Sequence, residues 1–296
     1  PEKPTQRNSW LKNRLPQLFA MTNSCGGFFV FGISYFYTMI LTSPAQLASQ
    51  PKKIISLVPS QTELLHWLGL EDQTIGITKF CVHPASWFNT KTRIGGTKAL
   101  DLEKIALLEP NLIIANKEEN VKEQVEKLAE DFPVWITDVE NLEDSFSMIS
   151  DIGSLTGKEK EAGSLNGLIK TKFDNLHQIN SIKHSIPTAY LIWNNPIMAA
   201  GGDSFISDMM EKAGFNNVFK NHRRYPETSI EEIKALGCKL LLLSSEPYPF
   251  SQKHADELQQ YLPDIRILLV DGEMFSWYGS RLLEAADYFE LMRRNV

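Results

Sequence analysis

The run DLEKIALLEPNLIIA, Asp101–Ala115, is matched without gaps by SIEEIKALGCKLLLL, Ser229–Leu243. Glu103 falls on Glu231, Ile105 on Ile233, Leu108 on Leu236 and Leu112 on Leu240. Each copy reads as a short helix, a turn and an unbroken aliphatic run. Such a run is the mark of a strand buried on both faces. Duplication and the common grammar of βα units would both produce this match, and both lead to one expectation. The fold class is α/β, with two similar lobes whose parallel-rich central sheets are flanked by helices.

Outward from the first copy, KKIISLV (Lys52–Val58), QTIGIT (Gln73–Thr78) and VWIT (Val134–Thr137) predict strands. TELLHWLGL and EENVKEQVEKLAEDF predict helices between them, and Ser60-Gln61-Thr62-Glu63 has the form of a capping box. Around the second copy, TAYLIW (Thr188–Trp193) and RILLV (Arg266–Val270) predict strands. SFISDMMEKAG, a segment after Ser251 and SRLLEAADYFELMRR predict helices. The proline-free stretch from Leu142 to Ile182 breaks at Thr156-Gly157, leaving a helix of ~20 residues, or ~30 Å, between the lobes. The expected division is an N-terminal lobe over 51–155, a linking backbone helix over 156–184 and a C-terminal lobe over 185–296.

Residues 1–50 are of another kind. Leu15 to Pro51 holds no charge, and GGFFVFGISYFYTMIL (Gly26–Leu41) follows the basic Lys12 and Arg14. Small residues come next, at Ser43-Pro44-Ala45 and around Ala48. This is the layout of an export signal. The apolar run is shorter than the ~20 residues of a membrane span, so an uncleaved anchor is the second reading. The expected location is the periplasm or cell envelope.

With 43% hydrophobic and 22% charged residues, the 296-residue chain has the balance of an ordinary globular protein. Its net charge is −6, and because residues 1–48 carry +3, the remainder carries −9. So acidic a body excludes nucleic acid as the main partner. Cys25, Cys81 and Cys238 lack CxxC spacing; a single Cys81–Cys238 bridge is the one pairing open to the expected lobes. The six histidines are scattered, so no metal cage is expected. No GxGxxG or Walker pattern follows a strand, and no GxSxG elbow is present. No catalytic residue and no cofactor is expected, and the chain is expected to be a monomer.

In open parallel sheets ligands bind beyond the carboxyl ends of the strands. Those positions hold Ser60, Phe80, Cys81, His83 and Asn116-Lys117-Glu118 in the first lobe. In the second they hold Trp193, Glu246 and the segment Phe275–Arg281, with Trp277, Tyr278 and Arg281. The set is aromatic and polar, suited to a large, partly flat ligand, and Arg281 at a helix start could hold an anionic group. An enzyme built on Cys81, His83 and Glu246 is the alternative from another class, and it requires those three to converge.

KKIISLVPSQTELLHWLGL, GITKFCVHP and IGGTKALDLEKIALLEPNLIIA, with AAGGDSFISDMMEKAGFNNVF, RRYPETSIEEI and DGEMFSWYGSR, resemble the class III periplasmic solute-binding proteins of ABC importers, the cobalamin-binding branch above all. The resemblance implies a ligand cleft between the lobes, a corrinoid or iron chelate as ligand, and no catalysis. It implies that Phe80 and Tyr225 pack on the ligand. It also implies that Glu103 and Glu231 dock on arginines of a permease dimer driven by its ATPase. A haem or ferric-siderophore ligand, with Arg281, Arg223 and Arg224 holding its acidic groups, is the neighbouring reading.

Overall fold

The computed structural model describes residues 38–180 and 184–296. The export-signal reading of the chain up to Tyr37 lies outside the described residues. The end of that apolar run belongs to the fold. Ile40–Leu41 (β1) pairs parallel with Val134–Trp135, so the first lobe begins ahead of Lys52. Its position is fixed by backbone pairing: the Met39 amide donates to the Ala129 carbonyl, and the Met39 carbonyl accepts from Val134. Among the described residues no helix is long and apolar enough to cross a membrane.

The first lobe continues with β2 (Ile54–Ser56), α1 (Pro59–Trp67), β3 (Thr74–Ile77), α2 (Ala85–Thr90) and β4 (Thr92–Arg93). A small hairpin, β5 (Gly95–Gly96) and β6 (Ala99–Leu100), leads into α3 (Leu102–Leu108), β7 (Leu112–Asn116), α4 (Lys122–Leu128) and β8 (Val134–Thr137). The sheet order is β1-β8-β7-β2-β3-β4, and every pair in it is parallel. The capping box does not form. Pro59, which has no amide hydrogen to satisfy, starts α1 two residues earlier behind Val58, and Glu63 is drawn elsewhere.

Two helices follow, α5 (Leu142–Thr156) and α6 (Glu159–Asn180), joined through Gly157 in the left-handed region. The second lobe contains β9 (Ile186–Asn194), β10 (Ile197–Ala199), α7 (Phe205–Lys212), β11 (Phe215–Asn217), α8 (Ile230–Ala235) and β12 (Leu240–Ser244). It ends with α9 (Gln252–Tyr261), β13 (Arg266–Val270), α10 (Gly272–Ser276) and α11 (Leu282–Arg294). The order is β10-β9-β12-β13 with β11 also on β9, and only β10 runs antiparallel. Thus α3-β7-α4-β8 and α8-β12-α9-β13 are equivalent units. In each, the repeated helix feeds a central strand and the next strand lies beside it.

The central strands of the second sheet are buried on both faces. Tyr190, Ile192, Leu240 and Leu242 point into a core that runs on through α6, α7 and α11 into the first lobe. Ala189, Leu191, Leu241 and Leu243 point the other way, onto Phe219, Ile233 and Leu258. The linking helix is therefore more than a strut. Its first half packs Ala162 and Leu165 on α5, and its second half sets Phe173 against Phe289 of α11 at 6.4 Å. Lys172 pairs with Asp287 at 2.6 Å, and Asn180 donates to the Lys212 carbonyl at the end of α7. Cys81 and Cys238 are free and buried in different cores, one per lobe, so the possible bridge is absent.

The α5–α6 crossing depends on Gly153. A Cβ there would lie 2.6 Å from the Ala162 Cβ and 3.2 Å from the Lys158 carbonyl oxygen. Gly153→Leu is expected to lower stability by about 1–3 kcal/mol through overpacking, read as a lower midpoint in urea unfolding with an unchanged slope.

Candidate functional site

The loops beyond the carboxyl ends of both sheets meet one another. From the first lobe come Ser60 and Glu63 after β2, Phe80 and His83 after β3, Glu118 and Glu119 after β7, and Glu140 after β8. From the second come Arg224 and Tyr225 after β11, Glu246 after β12, and Glu273, Trp277, Tyr278 and Arg281 after β13.

One end of this seam is closed by Arg281. Its guanidinium makes a paired contact with Glu63 across the lobes, Nη2 to Oε1 at 2.6 Å and Nε to Oε2 at 3.2 Å. It also lies 3.5 Å from Glu273 and 3.1 Å from Glu284, and over the Trp277 ring. Burial raises the Glu63 carboxyl above its ordinary range even against the attraction of Arg281. Arg281 is 8% exposed. Arg281, expected to hold a ligand anion, faces three carboxylates in this structure.

Trp277 and Tyr278, expected to contact the ligand, lie beside Arg281. The segment ahead of them is the short helix α10 rather than open loop, and the two rings are only 7% and 5% exposed. Trp277 meets the His83 ring edge-on at 5.6 Å, and Tyr278 meets Phe205 at 5.6 Å. Gly279, at φ 105°, turns the chain so that this segment lies on α1, with Leu64 and Ser60 beneath it. A side chain at that φ is strained, so glycine is required. The two aromatics therefore pack the lobes together.

Next to them stands Glu246. Its Oε1 accepts from the Ser276 hydroxyl at 2.6 Å and from Trp277 Nε1 at 2.9 Å. Gly272 makes room for it, since a Cβ there would come within 2.6 Å of the Glu246 Cγ. Burial raises its carboxyl, the Ser276 bond opposes this, and Glu273 adds to the rise. His83 Nε2 lies 3.3 Å from Glu273, again across the lobes.

Glu118 and Glu119 are set by Asn116, the last residue of β7. Its Oδ1 accepts from both of their amides, at 2.8 and 3.0 Å, while Asn120 holds the Asn116 amide at 2.8 Å. Glu119 is half-buried. Its carboxyl is pushed up to about 7, first by burial and then by Glu246 and Glu118, with Lys98 opposing. Glu118 reaches across to Tyr225, whose hydroxyl is raised by burial and by that carboxylate. Arg224 lies 3.8 Å from both Glu118 and Glu140, closing the other end of the seam.

Phe80 is 51% exposed, seated on Gly96 with Lys79 over its ring. Trp193 is half-exposed and stands apart from the seam contacts; it packs on Tyr248 at 5.6 Å and donates to the Asn195 carbonyl. Glu103 and Glu231 are both exposed, and each is the second residue of its helix behind a capping Asp101 or Ser229. Sequence reasoning missed Glu63, Glu119 and Glu273. Two asparagines bracketing a pair of acids at a strand end, Asn116 and Asn120, were the signal available for Glu119.

The Cys81, His83 and Glu246 enzyme is not assembled. The Cys81 thiol is sealed in the core between the Thr62 and Thr78 hydroxyls, each at 3.1 Å, and burial pushes it up. A thiol so placed is inert. His83 and Glu246 turn to Glu273 and Trp277 instead.

A family model described as periplasmic binding protein matches residues 54–261. A vitamin B12-binding protein of Vibrio parahaemolyticus is 24% identical over 268 residues, which is 87% of this chain and 97% of that one. Among solved structures, the periplasmic vitamin B12 binding protein BtuF of Vibrio cholerae superposes with a TM-score of 0.71 at 18% identity, covering 83% of this chain and 97% of its own. The periplasmic heme-binding protein RhuT of Roseiflexus gives 0.73 at 20%, covering 82% and 98%.

Two outcomes check this geometry. Arg281→Met leaves Glu63 buried without its partner and is expected to cost about 3 kcal/mol, much of it recovered in the Glu63→Gln, Arg281→Met double variant. For Glu119 the folded value of about 7 lies above the ordinary 4.5, so the folded protein holds a proton that the unfolded chain releases. Stability then falls as pH rises through that window. Glu119→Gln is expected to melt higher than the parent at pH 8, with the gap closing below pH 4.5; a gap independent of pH would refute the assignment.

Proposed function

This chain belongs to the periplasmic binding protein family, and we propose that it is the extracytoplasmic binding component of an ABC importer. In this reading it takes up cobalamin or a related metal chelate between its lobes and delivers it to a permease dimer driven by an ATPase. The observation that carries the proposal is the facing of the two sets of strand-end loops. Open α/β sheets bind ligands at such ends, and here two of them share one seam, bridged at both ends by cross-lobe contacts. Phe80 offers an exposed ring in the first lobe, and Tyr225 of the second lobe lies by Glu118. The vitamin B12-binding relatives support a corrinoid. The high likeness to a heme-binding structure supports the second reading, a haem or siderophore carrier.

Delivery is assigned to Glu103 and Glu231. The repeat places one exposed acid at the same helix position in each lobe, a pairing suited to a partner with two-fold symmetry and basic sockets.

Titration with cyanocobalamin by calorimetry tests the ligand. Saturable binding, weakened tenfold or more by Phe80→Ala, is expected; no heat at high micromolar ligand, with a visible spectrum appearing on haemin addition, would move the assignment to haem. For docking, Glu103→Arg with Glu231→Arg is expected to leave ligand affinity unchanged and abolish uptake in a reconstituted importer. Loss of ligand affinity instead would place these acids in the ligand site.

A further inference from the structure

The spacing that maps Glu103 on Glu231 also maps Glu118 on Glu246. Both copies of the repeat therefore carry an acid just beyond the central strand, and Glu119 adds another in the first lobe. We infer that Glu119 and Glu246, one from each lobe, act as a charge filter for the ligand: they accept a flat chelate whose rim is uncharged or bears amide hydrogen-bond donors, and turn away one whose rim bears carboxylates. The inference rests on the chelate-carrier reading and deepens it.

Three observations carry it. The carboxylates are built in, not incidental: Glu246 is fixed by Ser276 and Trp277 against Gly272, and the Glu118-Glu119 turn is fixed by Asn116. Four neighbouring cations are already engaged. Arg281 is held by Glu63, Glu273 and Glu284, Arg224 stands between Glu118 and Glu140, Lys98 reaches the Glu118 carbonyl, and Lys79 covers Phe80. Buried polar atoms in the same field are short of partners. The Tyr278 hydroxyl and the Ser60 Oγ, on residues 5% and 2% exposed, have only each other to interact with, and the Glu119 and Glu118 carboxylates add to the effect of burial in raising the Tyr278 hydroxyl. Groups with so few partners favour a ligand edge that supplies hydrogen bonds. A ligand carboxylate entering here would meet like charge in a partly desolvated site, with the Arg281 and Arg224 guanidiniums already engaged.

The test compares cyanocobalamin with its derivative in which one peripheral amide is hydrolysed to a carboxylate, and with haemin as a diacid, all titrated into the full chain at pH 8 and low salt. The amide form is expected to bind at least tenfold more tightly than either acid. Glu119→Gln and Glu246→Gln are each expected to narrow that ratio, and the double variant to bring it close to one. In the unmodified chain, lowering the pH from 8 to 5 is expected to narrow it as well, which needs no variant to fold. Equal affinities in the parent, or a ratio untouched by both substitutions and by pH, would overturn the filter while leaving the carrier reading intact. Failure of all three probes to bind would overturn the carrier reading, and the filter with it.

Discussion

The pairing of Arg281 with Glu63 sets how the two halves of this protein face each other. An ion pair taken out of water loses hydration that its mutual attraction only partly replaces, and the raised Glu63 carboxyl shows burial outweighing the guanidinium. Such a pair adds less to stability than to placement. A planar fork facing a carboxylate is satisfied in one geometry, and this fork is held by three. Its neighbours across the seam share that registration: Trp277 against His83 and Glu273 beside His83.

The repeat explains why a site exists at this place. A helix-strand unit used twice brings two equivalent strand ends, each with its own loop and its own acid, and the α5–α6 pair holds them face to face. Because the core runs without a break from the first lobe through α6 to α11, the lobes share hydrophobic packing as well as charge contacts. Large hinge motion would have to break that packing; small rocking would not.

Local pattern made much of this legible. The strands at Val134–Thr137 and Arg266–Val270 match the expected segments residue for residue, because apolar spacing alone determines them. What failed depended on partners distant in sequence. Glu63 has the right spacing for a capping box, yet a guanidinium far along the chain is a stronger partner than an amide on its own helix. Trp277 and Tyr278 read as loop residues at a strand end, but the turn at Gly279 folds them onto α1. Ile40 and Leu41 read as the tail of a leader because they end an apolar run; only the position of Val134 shows that they complete a sheet. Glu119 carries no motif, and its character comes from burial and from an acid on the other lobe.

One helix-strand unit supplies two kinds of acid, and their placement links the proposed roles. In the repeat, the helix runs back along the sheet before its strand runs forward, so the helix N-terminus and the strand carboxyl end lie toward the same edge of the lobe. Lys98, just ahead of α3, indeed reaches the carbonyl of Glu118, just beyond β7. Glu103 and Glu231 thus stand on the edge that bears the seam, exposed to solvent, while Glu118 and Glu246 stand toward its interior. A partner gripping both exposed acids would span the mouth of the seam. Ligand release would then need no path through either lobe, only a change in the contacts at the two ends, where Arg281 and Arg224 tie the lobes together.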